Sequence, residues 1–207
     1  MPVETKVIRS DNPESAKITS EVLKRGGVVV YPTETLYGIA VRALDKAASE
    51  KVFEIKGRPK NMPIPILVKD ISMAETVAEI NDTAVKLGGA FWPGALSLIV
   101  KEKGLLPEVI TAGTGKVAVR ISKNPFVKSL FGHFDEPITS TSANMSGGEN
   151  ITRFGDLERE FSGRVDLIID SGNIPPSLGS TIVDVTVNPP KIARAGDIKE
   201  EEIMEQL

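Results

Sequence analysis

The run Val28 to Tyr31 is apolar at every position and follows directly on the pair Gly26-Gly27. A strand without a polar face has to be covered on both sides, which calls for a sheet with helices packed against it. The polar stretch Pro32 to Gly38 follows at once. Short hydrogen-bonding side chains therefore sit at a strand end, where open sheets collect their ligands.

The remaining pattern alternates in the same way. Asn12 as cap and Pro13 in the first turn signal a helix with Ala16, Ile18, Val22 and Leu23 on its apolar side, stopped by Gly26-Gly27. A second helix starts at Asp45, carries Ala48, Val52 and Ile55, and ends near Gly57, so Lys56 and Arg58 flank its exit. Ile64 to Val68 reads as a strand that Pro65 keeps near an edge or bulge. Ser72 to Glu75 matches a capping box and opens a third helix with Met73, Val77 and Ile80 inward.

Strands are then expected over Leu96–Val100, Val117–Ile121, the segment entering Ser140 to Asn144, Val165–Ile169, Thr181–Val185 and Lys191–Arg194. Helices are expected after Asn124-Pro125 and around Phe154, Leu157 and Phe161, and a short charged helix closes the chain. The order predicts an α/β fold: one domain over 1–207, an open twisted mixed sheet flanked by helices.

Composition narrows the chemistry. The 207 residues include no cysteine and one histidine, His133. A zinc cluster and a disulfide framework are thereby excluded. The start MPVETKVIRS has no apolar run for a signal peptide, and no segment approaches a membrane span. A cytoplasmic protein without membrane contact is the expectation. Net charge is −3, so no global basic field attracts nucleic acid. Ala112 to Lys116 hints at a phosphate loop but lacks the first glycine and the final Ser/Thr. His133 and Phe91-Trp92-Pro93-Gly94 read as structural elements.

Four segments carry candidate chemistry, each with a plain alternative. Lys56 and Arg58 either complement the helix dipole or hold an anion through a point charge and a donor fork. Ser140 to Asn144 is either an ordinary turn or a hydroxyl-lined anion loop. Thr33 to Thr35 is a turn or a ligand loop. Arg120, on an apolar strand, must be paired, solvated in a cleft, or on an exposed face.

Taken in order, GGVVVYPTETLYGIA, KVFEIKGRPKNMPIPILV, FWPGALSLIV, VAVRIS, PITSTSAN, GSTIVDV and IARAG resemble the YrdC-type family of threonylcarbamoyl-AMP synthases, from Gly26 to Gly196. The resemblance implies a YrdC-like fold with a positively lined concave face. It implies a nucleotidyltransferase that makes threonylcarbamoyl-AMP and pyrophosphate from L-threonine, bicarbonate and ATP. Magnesium is expected with the nucleotide, without zinc or an organic cofactor. A downstream threonylcarbamoyl transferase would then modify tRNA, and weak tRNA binding beside catalysis is compatible with this.

By matching position, the resemblance assigns Thr35, Arg120, Ser140 and Ser180 to threonine, and Lys56, Arg58, Ser142, Asn144 and Arg194 to the nucleotide. Lys56 and Arg58 are the catalytic pair, and no metal ligand is implied. Met62 and Leu67 stand where some relatives have Asn and His. Lys116 and Asn150 replace a threonine and a serine at two further positions that contact the nucleotide in the family. The resemblance leads one to expect the short, single-domain form. Two competing readings are an RNA-binding protein using the basic concave face and a carbamoyl-adenylate former.

Overall fold

The computed structural model describes residues 3–207. In chain order the elements are β1 (Lys6–Arg9), α1 (Ser15–Lys24), β2 (Val29–Tyr31), β3 (Gly38–Ala40), α2 (Lys46–Lys56), β4 (Ile66–Leu67) and α3 (Ile71–Val77). Next come β5 (Ala78–Glu79), α4 (Asp82–Phe91), β6 (Leu96–Glu102), α5 (Glu108–Thr111), β7 (Lys116–Arg120) and α6 (Pro125–Leu130). The last third holds β8 (Ile138–Thr139), β9 (Thr141–Ser142), α7 (Phe154–Phe161), β10 (Leu167–Asp170), β11 (Thr181–Asp184), β12 (Lys191–Arg194) and α8 (Glu200–Met204).

The architecture is the expected mixed α/β one, with its strands hydrogen-bonded as two ladders. One runs β1-β10-β2-β3-β9 and the other β12-β11-β6-β7-β4-β8, with β5 on the far end of β6. One of the chain's passages between them, from β8 to β9, takes a single residue. β8 pairs with β4 in the second ladder, β9 pairs with β3 in the first, and Ser140 lies at the crossing. The crossing is tied on both sides: Ser140 N donates to Pro65 O at 2.7 Å, and Thr139 N donates to Val41 O at 3.0 Å. Two ladders joined along such a seam form a concave corner, and that corner holds the cleft described below.

Burial follows the sequence pattern. Val29, Val30 and Tyr31 are fully buried, as an all-apolar strand requires. The larger core cluster packs Leu96, Leu98, Val100, Val117, Val119 and Val183 from one face of the second ladder against α2 and α7 residues such as Val52 and Leu157. The smaller cluster fills the space between β10, β2, α1 and α6, with Leu23, Leu130 and Ile169 at its centre.

Side-chain N-caps fix four of the helices. Asp45 accepts from Ala48 N at the start of α2, and Gly57 ends it in the left-handed region at φ 58°, where glycine costs least. Asn124 caps α6, as its Asn-Pro sequence indicates. Elsewhere the boundaries shift. Asn12 accepts from Glu14 N at 2.9 Å, so it shapes the preceding turn, and α1 begins only at Ser15. Asp70, not Ser72, caps α3 through Met73 N, because α3 begins at Ile71 and the residue just before it supplies the carboxylate. Pro65 does not mark an edge: β4 runs between β7 and β8. The proline precedes the paired residues, so its missing N–H removes no ladder bond.

Gly196 lies where the C-terminal segment crosses β11. A Cβ there would come within 2.3 Å of Thr181 N and 2.4 Å of Ser180 C, both backbone atoms that cannot swing aside. Gly89 is exposed on α4 with nothing within 4 Å of its Cβ position. Gly196→Ala should therefore cost about 1–3 kcal/mol, whereas Gly89→Ala should be neutral or stabilise by about 0.5–1 kcal/mol. Urea midpoints of the two variants check the contrast.

Candidate functional site

The cleft has a volume of about 570 Å³ and opens on the second ladder beside the seam. Alternate residues of β11, β6 and β7 face it while their neighbours enter the core. Arg194 pairs across to Ile182 in one row. Asp184, Ile99 and Ala118 form the next row, and Lys116 stands one row further along β7. Thr35, Arg58 and Arg120 line this space, and so do Ser140, Ser142, Ser180 and Arg194. Seven residues assigned from scattered segments thus converge on one cleft.

Arg120 is held from three sides. Its Nε donates to Gly94 O at 2.9 Å and its Nη1 to Thr35 Oγ1 at 3.1 Å. Nη2 lies 2.8 Å from Glu34 Oε1. That last approach is close enough for an ion pair but too bent for a hydrogen bond. Nη2 consequently finds no hydrogen-bond acceptor among the described residues, although Arg120 is only 5% exposed. Glu34 in turn accepts from Ser122 Oγ and from Lys123 N. Burial alone would raise its pKa, but the Arg120 charge and these donors together hold it below the ordinary value.

Arg58 donates from Nε to Met62 O and from Nη2 to Pro63 O. Arg194 reaches Ser180 O at 2.6 Å and Ser180 Oγ at 3.1 Å, and Ser180 Oγ also meets Ser97 Oγ at 2.8 Å. Burial, then the charge of Arg194, lowers the pKa of Arg58; burial, then Arg120, lowers that of Arg194. Three guanidiniums therefore crowd one another, and all stay charged because arginine does not deprotonate in proteins. Such crowding favours an anion among them.

Lys56 and Asn144 do not line the cleft. Lys56 is 2% exposed, and its Nζ donates to Ser142 O, to Asn144 O at 2.6 Å and to Asn144 Oδ1 at 3.4 Å. Asn144 also accepts from Ser142 Oγ at 2.6 Å and donates to Gly148 O at 2.7 Å. Direct nucleotide contact is thus not what this geometry offers for either residue, and of the expected Lys56–Arg58 pair only Arg58 lines the cleft. The carbonyls turned inward by the loop have drawn the ammonium beneath it, where Lys56 is a positioning residue.

Burial pushes the Lys56 ammonium down to about 8, with the Arg58 charge adding to the effect. Tyr31 supports the same loop by donating to Ser140 Oγ at 3.1 Å. Glu34, Gly94 and Tyr31 were not assigned from sequence. Glu34 had a signal in the need of Arg120 for a partner, whereas a backbone carbonyl such as that of Gly94 has none.

The departures also find places. Met62 lines the cleft, and Leu67 is fully buried in the smaller core. Asn150 donates to Ser177 O at 3.3 Å. Lys116 faces the cleft and pairs with Asp184 at 3.1 Å. His133 is exposed, and its carbonyl accepts from Ser20 and Lys24. Trp92 anchors its turn through Nε1 to Leu96 O at 2.8 Å. Among the described residues no group of three or more His, Cys, Asp or Glu could hold a metal ion, and no helix is long and apolar enough to cross a membrane.

Comparison with known proteins agrees with this geometry. The Sua5_yciO_yrdC family model, described as telomere recombination, matches residues 21–196. The chain is 36% identical over 188 residues to threonylcarbamoyl-AMP synthase of Pyrococcus abyssi, covering 90% of this chain and 55% of that protein. It is 34% identical over 202 residues to threonylcarbamoyl-AMP synthase of Bacillus subtilis, covering 96% of this chain and 58% of that protein. The chain therefore spans little more than half the length of these relatives. The crystal structure of P. abyssi Sua5 complexed with L-threonine superposes with a TM-score of 0.91 at 33% identity, over 100% of this chain and 61% of that one. With a family model covering most of its length and a cleft built from the segments that carry the resemblance, the chain belongs to the Sua5/YciO/YrdC family.

Proposed function

We propose that this chain, over residues 1–207 as one domain, condenses L-threonine, bicarbonate and ATP to threonylcarbamoyl-AMP and pyrophosphate. The observation that carries the reading is the convergence of Arg58, Arg120 and Arg194 on one cleft lined with hydroxyls. A guanidinium fork binds carboxylates and phosphates through paired, charge-assisted hydrogen bonds. The name of the P. abyssi and B. subtilis relatives, and the threonine complex of the P. abyssi protein, supply the substrate.

In this reading the threonine carboxylate meets Arg120, and Thr35, Ser140 and Ser180 offer hydroxyls to its polar groups. The amine bonds to the carbon of bicarbonate and loses a proton as water leaves, giving a carbamate. A carbamate oxygen then attacks the α-phosphorus of ATP, and the bond to pyrophosphate breaks. Arg58 and Arg194 neutralise charge on the phosphates, and Ser142, whose hydroxyl donates to Asn144 Oδ1, shapes the loop beside them. Such chemistry rests on positioning and fixed cations rather than on a covalent nucleophile. Most cleft donors are cationic or hydroxyl, and Asp184 is already engaged by Lys116 and Thr186. The residues themselves do not form a magnesium site, so magnesium would enter as part of the substrate, on the triphosphate. The product would pass to a transferase acting on tRNA.

Incubation with ATP, magnesium, bicarbonate and each amino acid, with mass detection of the adenylate, tests the reading: threonine should give the product. Serine lacks only a methyl group and should be disfavoured by roughly 10–200-fold. Arg58→Ala should lower product formation by roughly 100–1,000-fold while threonine still binds in calorimetry. Near-normal pyrophosphate release by that variant would contradict the assignment. Arg120→Lys keeps the charge but loses the fork, and should raise the KM for threonine far more than that for ATP.

The positioning role of Lys56 has a pH signature. Below about 8, folded and unfolded chains both carry the proton and the burial penalty is fully felt. Between there and the ordinary value of 10.5 the folded chain holds fewer protons, so stability rises with pH. Urea midpoints of the wild type should accordingly gain on those of Lys56→Met across this window, and parallel curves would contradict the assignment.

A further inference from the structure

One buried hydroxyl beside the cleft has no role in the chemistry above. Ser97 lies on β6 between Leu96 and Leu98, which both enter the larger core. Its side chain therefore shares the cleft-side face of the strand with Ile99, yet Ser97 does not line the cleft. It is 1% exposed. Its Oγ has a single partner among the described residues, Ser180 Oγ at 2.8 Å. Ser180 does line the cleft, so Ser97 supports it from the buried side.

The polarity of this pair follows from its protons. A serine hydroxyl carries one proton and two lone pairs. If Ser180 donated to Ser97, the Ser97 proton would be buried without an acceptor, which folded chains avoid. Ser97 is therefore the donor. Arg194 Nη2 also donates to Ser180 Oγ, at 3.1 Å, and a guanidinium has no lone pair to offer in return. Both lone pairs of Ser180 Oγ are then occupied. Its own proton has no acceptor among the described residues, and the cleft is the space left to it.

The backbone around Ser180 is tied on both sides. Thr181 N donates to Ala95 O and Asp197 N to Gly179 O, both at 2.9 Å. The hydroxyl rotor is the freedom that remains, and Ser97 and Arg194 set it. Thr35 makes the contrast. Its Oγ1 accepts from Arg120 Nη1 at 3.1 Å, and Thr33, whose proton goes to Leu36 O at 2.6 Å, cannot donate to it as well. Thr35 thus keeps a lone pair for the cleft, whereas Ser180 keeps a proton. An ammonium or hydroxyl proton suits the first, and a carboxylate oxygen the second.

We propose that Ser97 is a positioning residue that commits Ser180 to donate, and so fixes which end of the amino acid Ser180 receives. Ser180 meets a carboxylate oxygen of threonine and turns away the ammonium. This rests on the threonine-binding part of the proposed function and adds a determinant of substrate orientation to it. Both hydroxyls act by binding alone, with no covalent bond made or broken.

Calorimetric binding of L-threonine and of AMP, measured through a double-mutant cycle, tests this. Ser97→Ala should weaken threonine binding by roughly 2-fold to 10-fold, the worth of one hydrogen bond, and leave AMP affinity unchanged. Ser97→Thr and Ser97→Val share a shape and differ in the hydroxyl, so threonine should bind the first more tightly by a similar factor. In a Ser180→Ala background, Ser97→Ala should change threonine affinity no further, because the two hydroxyls act as one unit. If Ser97→Ala does not fold, Ser97→Cys carries the same cycle with a weaker donor. Equal losses in both backgrounds, or a loss shared by AMP, would mark a general disturbance of the cleft and overturn the proposal. Full threonine affinity in Ser97→Ala would also overturn it and leave the threonine reading intact. A wild type that binds AMP but no threonine would remove the threonine reading and the proposal with it.

Discussion

The buried contact between Arg120 and Glu34 is the interaction on which the cleft depends. A guanidinium only 5% exposed loses several kcal/mol of hydration. Gly94 O, Thr35 Oγ1 and the Glu34 carboxylate recover part of it. Glu34 is fixed by Ser122 and Lys123 N, so the loop after β2 and the strand after Arg120 lock each other. Removing Arg120 alone would leave the Glu34 carboxylate buried and unpaired, at a cost of about 3–5 kcal/mol. In the proposed reading the arginine is kept there, fixed by Glu34, to receive the substrate carboxylate.

The second constraint is the crossing at Ser140. One short segment pairs with β4 on one side and β3 on the other, so its carbonyls and hydroxyls cannot all be used within a sheet. Lys56 takes up Ser142 O and Asn144 O from below, leaving hydroxyls of Ser140 and Ser142 on the cleft side. The loop is held by an ammonium on a helix end, and that helix also aims Arg58. Fold and site share the same few bonds.

How much of this was legible in the chain depends on whether a feature is local. Asp45 with Gly57, and Asn124 with Pro125, specify their helices within a dozen residues, and the structure agrees. Helix α4 was missed because Gly88-Gly89 weakens the helical signal and its burial comes from β6 packing above it. β3 hides behind the polar PTETLYG run, since a three-residue strand is stabilised by its two neighbours rather than by its own pattern. The convergence of Arg58, Arg120 and Arg194 was visible only through the family resemblance; spacing alone left each with a bland alternative. The inward turn of Lys56 was not visible at all. Sequence gives the charge of a side chain but not the position of the carbonyls that will claim it.

The central claim is that one cleft holds an amino-acid carboxylate and a nucleotide phosphate side by side. Displacement calorimetry tests this directly, with protein loaded with threonine and AMP and titrated with threonylcarbamoyl-AMP. The account predicts that one equivalent of the conjugate releases both fragments together, and binds more tightly than either. Release of only one fragment, or a complex that holds the conjugate beside both, would show that the two sites are separate.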